Sequence, residues 1–553
     1  MASKPCFAIF ISLLIFLPSL SSSNTSSTIS TVCNNTLYPS FCRNLLSKGN
    51  SSSLYDYGRF SLKKSLSSAR KFSSLINRLL HRSSSLTPTA VAALQDCRFL
   101  AELNLDYLYA AIHTLNGASN APLPTIPAEN VQTLLGGILT NIDTCLDGIA
   151  ATRASWSVKQ GVFAPMVDDT KLYSVSLDLF TKAWVPNKKN RVSERPRKHL
   201  TFRKGKLPFR MSKRHKAILD SLSSKKFAQE SGDDGLISVS DIVGVSQDGQ
   251  ANFTSINDAV QAAPDNSNAD DGYFLIYITA GVYNEYVSIP KNKKYLMMMG
   301  EGINQTIITG NHSFVDGWGT FNSSTFSVVG ERFVGVGITF RNTAGPIKHQ
   351  AVAVRNTANQ STFYNCSFEA YQDTLYVHNL YQFYRECDIY GTVDFIFGNA
   401  IAVFQKCNIY PRLPLSGQFN AITAQGREVP NQNTGIWIQN CTIRPAADLA
   451  TANSSVETYL GRPWRLYSRT VYMQSFMDSF IQPLGWHKWN ESDFALNTSY
   501  YAEFGNRGPG SSTAARVTWP GFRVINATDA ANFTVSNLLL GDEWLPQTGV
   551  PYD

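Results

Sequence analysis

The N-terminal part of the chain has the hydrophobic pattern of amphipathic helices. Between residues 24 and 185, apolar side chains recur three and four positions apart, as at Leu75, Ile76, Leu79 and Leu80, which is the spacing of one helix face. Polar stretches rich in Ser and Thr, and three prolines between residues 122 and 127, separate these runs. The pattern predicts an all-α domain, a four-helix bundle, over residues 24–185.

From about residue 235 the pattern changes to short apolar strands separated by Gly and Asn turns. The strands then repeat about every 20 residues, with β-branched and aromatic side chains in each repeat. The repeated segments are 363–368, 383–389, 404–409, 437–443 and 471–476. A short repeat of this kind is typical of a β-solenoid, in which each coil buries its face only against its neighbours. Residues 235–553 are therefore predicted to be all-β, and parallel coils would leave few unpaired strand edges.

Two carboxylates lie 21 residues apart in this repeat, Asp373 and Asp394. Equivalent positions on successive coils are about 4.8 Å apart, so the two acids would be neighbours. Gln372 adjoins the first acid, and Gln350 lies 23 residues before it, about one coil further back. Two acids and two amides on adjacent coils predict a catalytic site.

The 553 residues exceed the length of one ordinary domain. Residues 7–20 are almost wholly apolar, follow Lys4 and precede three serines. This run is too short to cross a bilayer and predicts a signal peptide over residues 1–23; no later segment is expected to span a membrane. Several Asn-x-Ser/Thr sequons fit the secretory route, among them Asn252, Asn304, Asn322, Asn440 and Asn526.

Eight cysteines follow the predicted signal peptide. In an oxidising compartment disulfides are favoured over metal thiolates, and no metal site is predicted. Cys33 and Cys42 can close a small hairpin, and Cys97 and Cys145 can tie two helices together. Four later cysteines, Cys366, Cys387, Cys407 and Cys441, share one position of the repeat; a Cys387–Cys407 bridge and a ladder of buried thiols are both compatible with that spacing.

The net charge of +8 is unevenly distributed. Residues 235–553 hold 19 Lys and Arg against 26 Asp and Glu, a charge of −7, so residues 1–234 carry +15. Most of the excess lies in residues 186–226, with 15 basic and 2 acidic side chains. In a secreted chain such a run between two unlike regions favours a linker for proteolytic processing over nucleic-acid binding. We place this linker at residues 186–234; an ordinary solvated linker is the alternative.

Chemistry supports the site at the two acids. Like carboxylates one coil apart push their pKa values in opposite directions, which suits an acid and a nucleophile; the alternative is that both point into solvent. The two glutamines are neutral donors suited to an oxyanion. Arg462 could pair with a carboxylate and keep it ionised. Aromatic side chains that could line a cleft for sugar rings, or belong to the core, are Phe321, Tyr376, Phe397, Tyr459, Trp464 and Trp486.

The segments 371–376 (YQDTLY), 391–398 (GTVDFIFG) and 460–464 (LGRPW) resemble the signature blocks of plant pectinesterases (pectin methylesterases). Gly319-Thr320-Phe321 and Ala344-Gly345-Pro346 with Gln350 also match, and the resemblance spans residues 236 to 550. Residues 24–185 resemble the pectinesterase/invertase inhibitor domain that precedes many of these enzymes. The resemblance implies a right-handed parallel β-helix, no cofactor, and pectin as substrate.

The resemblance also implies a role for each matching residue. Asp394 would be the nucleophile, Asp373 the acid and then the base, Gln350 and Gln372 the oxyanion donors, and Arg462 would orient Asp394. Thr320, Gln350, Arg462 and Trp464 would contact substrate, and the aromatic side chains Phe321, Tyr376 and Phe397 are assigned to the same cleft. The disulfide usual in the family corresponds to Cys387–Cys407.

Processing sites in these pro-enzymes are short basic motifs ending in Leu-Leu. The nearest matches here, 197–200 (RKHL) and 213–219 (KRHKAIL), both depart from that motif. The expected partners are a processing protease and a proteinaceous pectinesterase inhibitor. We expect a secreted cell-wall monomer that binds neither nucleic acid nor, when mature, a membrane.

Two other functions fit parts of the pattern. Two carboxylates can also cleave a glycosidic bond, and methanol rather than reducing ends as product would decide between them. The chain could also be a non-catalytic binder whose helical half inhibits other enzymes. The intact set of Asp373, Asp394 and Arg462 argues against a dead enzyme, so the helical half is better interpreted as an intramolecular inhibitor or folding aid.

Overall fold

The computed structural model describes residues 28–49, 52–82, 84, 86–152, 156–186, 209–210, 212–222, 237–452 and 456–553. The predicted signal peptide lies outside these residues, and so does most of the predicted linker. The described part consists of a helical domain followed by a β-helix domain.

The helical domain is a four-helix bundle, as predicted. Two short helices, α1 (Ile29–Cys33) and α2 (Pro39–Leu46), precede the bundle. The four long helices are α3 (Leu54–His81), α4 (Pro88–Leu115), α5 (Thr125–Ala151) and α6 (Trp156–Trp184). Ser53 and Thr87 cap α3 and α4 by accepting hydrogen bonds from backbone N–H groups.

Both disulfides predicted in the helical domain are confirmed. Cys33–Cys42 joins α1 to α2, and Cys97–Cys145 joins α4 to α5. Cross-links of this kind restrict the unfolded chain and so stabilise the folded one.

Helix α5 is long and apolar enough to cross a membrane, although no segment of the sequence was expected to do so. Its apolar residues Val131, Leu135, Ile138 and Ile142 are instead buried in the protein. Helix α5 is buried around most of its circumference because it packs on α4 and α6 on one side and on the β-helix domain on the other.

The second domain is a right-handed parallel β-helix, as predicted. Its described strands form three parallel sheets, and each strand pairs with its equivalent on the next coil. The twelve-stranded sheet contains β1 (Phe209–Arg210), β2 (Ile237–Val245), β3 (Tyr273–Ile278), β6 (Leu296–Gly300), β9 (Val334–Val336), β12 (Ser361–Tyr364), β15 (Tyr381–Arg385), β18 (Ile401–Gln405), β21 (Gly435–Gln439), β24 (Arg469–Met473), β26 (Tyr500–Phe504) and β27 (Phe522–Val524).

The other two sheets complete each coil. The eight-stranded sheet contains β4 (Gly281–Asn284), β7 (Thr306–Gly310), β10 (Thr339–Asn342), β13 (Ser367–Glu369), β16 (Asp388–Gly391), β19 (Asn408–Pro411), β22 (Thr442–Ile443) and β25 (Phe476–Met477). The seven-stranded sheet contains β5 (Val287–Ile289), β8 (Phe326–Val328), β11 (Val354–Asn356), β14 (Leu375–Val377), β17 (Ile396–Gly398), β20 (Asn420–Gln425) and β23 (Thr458–Gly461).

The chain bends sharply at the same place on successive coils, between the twelve-stranded and eight-stranded sheets. Each bend has one residue in the left-handed region: Asn365, Glu386, Lys406, Asn440 and Gln474, with φ between 50° and 55°. Such residues turn the backbone within two positions, so that each short strand leads directly into the next sheet.

Inside the coils, equivalent side chains stack. Phe363, Tyr384 and Phe404 are paired in register, with ring centroids 5.4 and 4.5 Å apart. Stacked rings on successive coils fill the core at the spacing that the strand pairing imposes.

The cysteine ladder, formed by Cys366, Cys387, Cys407 and Cys441, occupies the next inward position on successive coils. All four are buried free thiols, so the expectation of a Cys387–Cys407 disulfide is wrong. Side chains at equivalent positions of parallel strands project side by side about 4.8 Å apart, farther than the Cβ separation of about 3.8 Å that a disulfide prefers. The Cys387 thiol lies 3.4 Å from the Phe363 carbonyl oxygen instead.

The domain is covered at its end and on one face. Helix α8 (Ile256–Ala262) closes the first coil with Ile256 and Val260, both buried in the core. Helices α10 (Ala527–Ala530), α11 (Val535–Leu539) and α12 (Gly541–Trp544) pack on the twelve-stranded sheet, and α9 (Ala447–Ala450) lies in a loop after β22.

Part of the predicted linker is structured. Strand β1 extends the twelve-stranded sheet beside β2, and residues Lys213–Leu222 form helix α7. Leu219 of α7 is fully buried in the cluster that includes Ile237 and Ile242. The second processing motif, 213–219, therefore lies in a helix that packs on the β-helix domain.

Candidate active site

The two acids lie in the turns that lead from the eight-stranded to the seven-stranded sheet. Asp373 precedes β14 and Asp394 precedes β17, and Leu375 pairs with Ile396 across these strands. The acids therefore occupy equivalent positions on adjacent coils, as predicted. Both have left-handed backbones, with φ of 63° and 53°, a conformation that Asp tolerates better than most residues.

Arg462 holds Asp394 with two hydrogen bonds. Its Nε donates to Oδ1 at 2.8 Å and its Nη2 donates to Oδ2 at 2.7 Å. Both side chains are largely buried. The guanidinium also lies 4.4 Å from the ring centroid of Trp489 and 5.3 Å from that of Phe419. A bidentate pair in this setting favours the ionised carboxylate and fixes its orientation.

Asp373 is in the opposite electrostatic state. Burial first, and the neighbouring charge of Asp394 second, raise its pKa well above the usual range, and Arg462 opposes them only in part. Burial and the neighbouring carboxyl therefore favour the protonated form of Asp373. One carboxyl can then act as an acid while the other attacks as a nucleophile.

The two predicted oxyanion donors flank the acids. Gln372 immediately precedes Asp373, and its carbonyl oxygen accepts a hydrogen bond from Ala351 N at 3.2 Å. Gln350 precedes β11, one coil before Asp373. Both glutamines are partly exposed, and among the described residues neither side-chain amide has a hydrogen-bond partner, so both can donate to a ligand.

The predicted cleft aromatic residues form one group beside the acids. The rings of Tyr376 and Phe397 stack at 4.3 Å, and Trp464 lies edge-on to Phe397 at 6.1 Å. Phe321, in the 3₁₀ turn that begins at Thr320, lies edge-on to Tyr376 at 6.4 Å. These four rings, which we call the aromatic floor, line a surface outside the β-helix core.

Two other aromatic candidates lie elsewhere. Trp486 is buried in the β-helix core and stacks on Tyr501 at 4.1 Å. Tyr459 lies edge-on to Phe419 at 5.7 Å, on the Arg462 side of the site.

The helical domain covers the aromatic floor. Phe321, Tyr376 and Phe397 share one buried cluster with Leu135, Ile138 and other bundle residues. Side-chain amides of the β-helix domain donate hydrogen bonds to α5: Asn399 to Thr140 Oγ1 at 2.9 Å, Gln432 to Gly136 O at 2.9 Å and Asn379 to Gly137 O at 3.0 Å. Thr144 Oγ1 of α5 is also hydrogen-bonded to His378 Nε2 at 2.9 Å.

Charged groups border this contact. Arg465 donates to Asp147 at 2.5 Å, and Lys291 pairs with Asp106 at 2.6 Å. Asn322 donates to Asp96 of α4. Burial raises the pKa of Asp147, against the opposing charge of Arg465. The contact therefore contains several carboxyl groups that dissociation would expose to water.

Sequence reasoning missed three contributors to this region. Trp489 and Phe419 flank Arg462 but carry only the signal of an aromatic residue in a loop, which is not specific. Arg465 follows Trp464 by one residue, and only the docked helical domain reveals its partner.

Comparison with known proteins agrees with this geometry. Residues 241–542 match the pectinesterase family, and residues 27–179 match the plant invertase/pectin methylesterase inhibitor family. The "Probable pectinesterase/pectinesterase inhibitor 7" of Arabidopsis thaliana is 56% identical over 576 residues and covers 99% of each chain. The "Probable pectinesterase/pectinesterase inhibitor 41" of the same species is 56% identical and covers 95% of this chain and 94% of the relative.

The solved structure of a pectin methylesterase from carrot resembles the β-helix domain. It is 50% identical with a TM-score of 0.55, and the match covers 56% of this chain and 97% of the carrot chain. The protein thus belongs to the pectinesterases, which are carboxylic ester hydrolases, and carries an inhibitor-family domain in front of the catalytic one.

Proposed function

We propose that the chain hydrolyses galacturonate methyl esters in pectin through Asp394 as nucleophile and Asp373 as acid and base. The observation that carries this proposal is the bidentate Arg462–Asp394 pair one coil from Asp373, whose pKa is raised by burial and by Asp394. An ionised and a protonated carboxyl then lie side by side at neutral pH.

In the first half-reaction an Asp394 oxygen attacks the ester carbonyl carbon. Gln350 and Gln372 donate hydrogen bonds to the oxyanion that forms. The C–O bond to the methoxy group breaks, the Asp373 carboxyl gives its proton to the departing oxygen, and methanol leaves. The acyl group remains on Asp394 as an anhydride.

In the second half-reaction the Asp373 carboxylate accepts a proton from water. The hydroxide attacks the acyl carbon of the galacturonate, and the bond to the Asp394 oxygen breaks. The galacturonic acid leaves, Asp394 is again a carboxylate held by Arg462, and Asp373 again holds its proton. Thr320 and the aromatic floor would contact the sugar rings on either side of the ester.

The first experiment measures methanol release from highly methylated pectin by residues 209–553. The carrot enzyme, whose chain corresponds almost wholly to this part, supports its folding alone. Asp394→Asn should lower kcat by about three orders of magnitude or more, as loss of a covalent nucleophile does, with an unchanged circular dichroism spectrum.

Three results would contradict the proposal. Near-full turnover by the Asp394→Asn variant would remove the nucleophile assignment. Reducing ends instead of methanol from the parent would favour a glycosidase, and neither product from the folded protein would favour a non-catalytic binder.

We also propose that the helical domain inhibits the enzyme in cis until the chain is cut. The support is the position of α5 over the aromatic floor, with Tyr376 and Phe397 buried against the bundle. A pectin chain cannot reach that surface while α5 occupies it. The uncut chain should therefore release methanol far more slowly than the cut one, and equal rates would exclude inhibition in cis.

On this proposal the chain is cut at the motif 197–200 and not at 213–219, because 213–219 lies in helix α7, where Leu219 is buried. We propose secretion to the cell wall through the N-terminal apolar segment, a monomeric enzyme, and glycosylation at some of the sequons. Sequencing the N-terminus of the secreted protein tests the cutting site.

A further inference from the structure

Three aromatic rings form an exposed stack outside the aromatic floor. His312 lies between Tyr286 and Trp318, with ring centroids 3.6 Å from each and interplanar angles of 11° and 14°. Tyr286 is 40% exposed and Trp318 is 41% exposed. The Tyr286 hydroxyl donates to Asn311 Oδ1 at 2.9 Å, and this bond holds the stack together. We call these three rings the aromatic platform.

The surface around the platform is unusually apolar. Of twelve large apolar side chains that are exposed in the described residues, five belong to this region: Tyr286, Phe314, Val315, Trp318 and Ile347. An apolar group of this kind on a secreted chain marks a binding surface. Burial lowers the pKa of His312, against the opposing charge of Asp316, so the central ring is neutral and adds no charge to the stack.

The platform lies on the same line of turns as the catalytic acids. Tyr286 precedes β5, His312 and Trp318 precede β8, Gln350 precedes β11 and Asp373 precedes β14, on successive coils. Two coils separate Trp318 from Asp373, a distance of about 10 Å along the axis.

The loop that carries the platform continues into the catalytic site. Phe314 N donates to the carbonyl oxygen of Gln350 at 2.8 Å. Two residues after Trp318, the chain enters the turn of Thr320 and Phe321, which is part of the aromatic floor. An extended ligand that lies on the floor can therefore reach the platform without leaving the surface of the domain.

The docked helical domain reaches only one end of this loop. Phe99 contacts Phe321 at 6.3 Å, and Asn322 donates a hydrogen bond to Asp96. Tyr286 and Trp318 of the platform each keep about two-fifths of their surface in solvent among the described residues. The platform is therefore open in the uncut chain while the aromatic floor is covered.

We propose that the aromatic platform binds a galacturonate ring of the pectin chain at a subsite remote from the acids. A pyranose ring has an apolar face of C–H groups, which packs on an aromatic ring and gains from the negative π face. This inference rests on the proposed substrate and adds to it a second binding place.

The test uses the full chain, in which the floor is covered and the platform is open. Electrophoresis through gels with and without embedded pectin measures binding as retardation, with no need for turnover. Trp318→Ala and, separately, His312→Ala should weaken retardation about five- to tenfold in apparent Kd, as removal of a central aromatic contact does. Val524→Ala removes an exposed apolar side chain at the far end of the twelve-stranded sheet and should leave retardation unchanged.

A second readout separates this inference from the esterase proposal. In residues 209–553, Trp318→Ala should raise KM for long pectin about fivefold or more with kcat unchanged. It should leave KM for methylated dimers unchanged, because two sugar rings do not span the two coils between Asp373 and Trp318. If every variant releases methanol with the same KM for long pectin, the proposal of a sugar subsite on the platform is overturned and the esterase proposal stands. If no protein releases methanol, only the esterase proposal is overturned, because retardation in the pectin gel measures binding and does not need turnover.

Asn311 begins a sequon, Asn311-His312-Ser313, so a glycan could instead lie on the platform. Retardation that appears only in an Asn311→Gln variant would show that the glycan occupies the rings in the native protein. That result, like retardation that is unchanged in Trp318→Ala and His312→Ala, would overturn the proposal.

Discussion

Docking of the helical domain should depend on the protonation of Asp96. This carboxyl lies in α4, accepts a hydrogen bond from Asn322 of the β-helix domain and faces the buried guanidinium of Arg355. Burial raises its pKa from 3.8 to about 7, although Arg355 and Asn322 oppose the shift. In the docked form Asp96 therefore keeps its proton up to about pH 7, whereas in the separated domain it would lose the proton above about pH 3.8. Docking between these pH values takes up a proton.

Docking should weaken as pH rises. A group whose pKa is higher in the docked form stabilises docking fully at pH values below its pKa in the separated domain. This stabilisation is lost as pH rises through the pKa of the docked form. For values of 3.8 and about 7, docking weakens between pH 5 and pH 7 by at most about 2 kcal/mol, or roughly fiftyfold in Kd. Because Asp96 keeps part of its surface in solvent, we expect about tenfold.

The assay uses the chain cut between residues 186 and 208, and gel filtration between pH 4.5 and 8 measures the fraction of the two parts that elute together. Asp96→Asn keeps an oxygen that can accept the Asn322 proton but cannot titrate, so its elution should change less with pH than that of the parent. Asp106→Asn is the control, because Asp106 also crosses the contact, in a half-exposed pair with Lys291, and such pairs contribute only about 0–1 kcal/mol.

Two outcomes would refute the reasoning. The first is a parent complex that stays equally tight, or becomes tighter, as pH rises from 5 to 7. The second is an Asp96→Asn complex with the same pH dependence as the parent; the dependence would then reside in Asp147 and Glu428, whose pKa values burial also raises.

Three further predictions follow from the structure. Gly137→Leu should weaken docking about tenfold or more and raise the activity of the uncut chain, since a Cβ there would lie 2.9 Å from the Asn379 amide nitrogen; Gly161→Leu in α6, where no atom lies within 4 Å, is the matched control and should leave activity low. Moderate salt should raise methanol release, because residues 235–553 carry a charge of −7 and salt screens their repulsion from the polyanionic demethylated product; the same repulsion should make demethylation scattered rather than contiguous, and a rate that falls at every salt increment would contradict this. The cysteine ladder should react with a thiol reagent only after unfolding, since all four thiols are buried, and mass spectrometry of the native protein showing rapid labelling would contradict it.

Much of the catalytic domain could be predicted from the sequence because a β-helix repeats locally. Each coil has the same turn and the same inward positions, so the recurring cysteines alone set the register. The exact strand register was harder to predict. The two segments that begin at residues 363 and 383 suggested Phe383 as the counterpart of Phe363, whereas the structure pairs Phe363 with Tyr384. A one-residue slip of this kind exchanges the inward and outward faces of a strand, and only the neighbouring coils decide it.

The position of the helical domain could not be predicted in the same way. Contacts such as Asn379 to Gly137 and Asn399 to Thr140 join residues more than 200 positions apart, and their amides are ordinary polar side chains in the sequence. The structured part of the linker was hidden for a similar reason. Its many basic residues dominate the composition, while the single Leu219 that anchors α7 carries no pattern of its own.

The apolar character of α5 and that of the aromatic floor have one explanation. A floor that binds sugar rings must be apolar and reachable from solvent, and such a surface is costly to leave uncovered during folding and transport. The bundle covers it with α5, whose face toward the enzyme carries the small residues Gly136, Gly137 and Thr140, and each of them accepts a hydrogen bond from the β-helix domain. The apolar residues of α5 are buried as well, which is why a helix inside the protein has the composition of a membrane span. On the proposal that the floor binds the sugar rings, a substitution there such as Trp464→Ala should weaken both substrate binding and docking of the bundle. A substitution on the aromatic platform should weaken substrate binding alone.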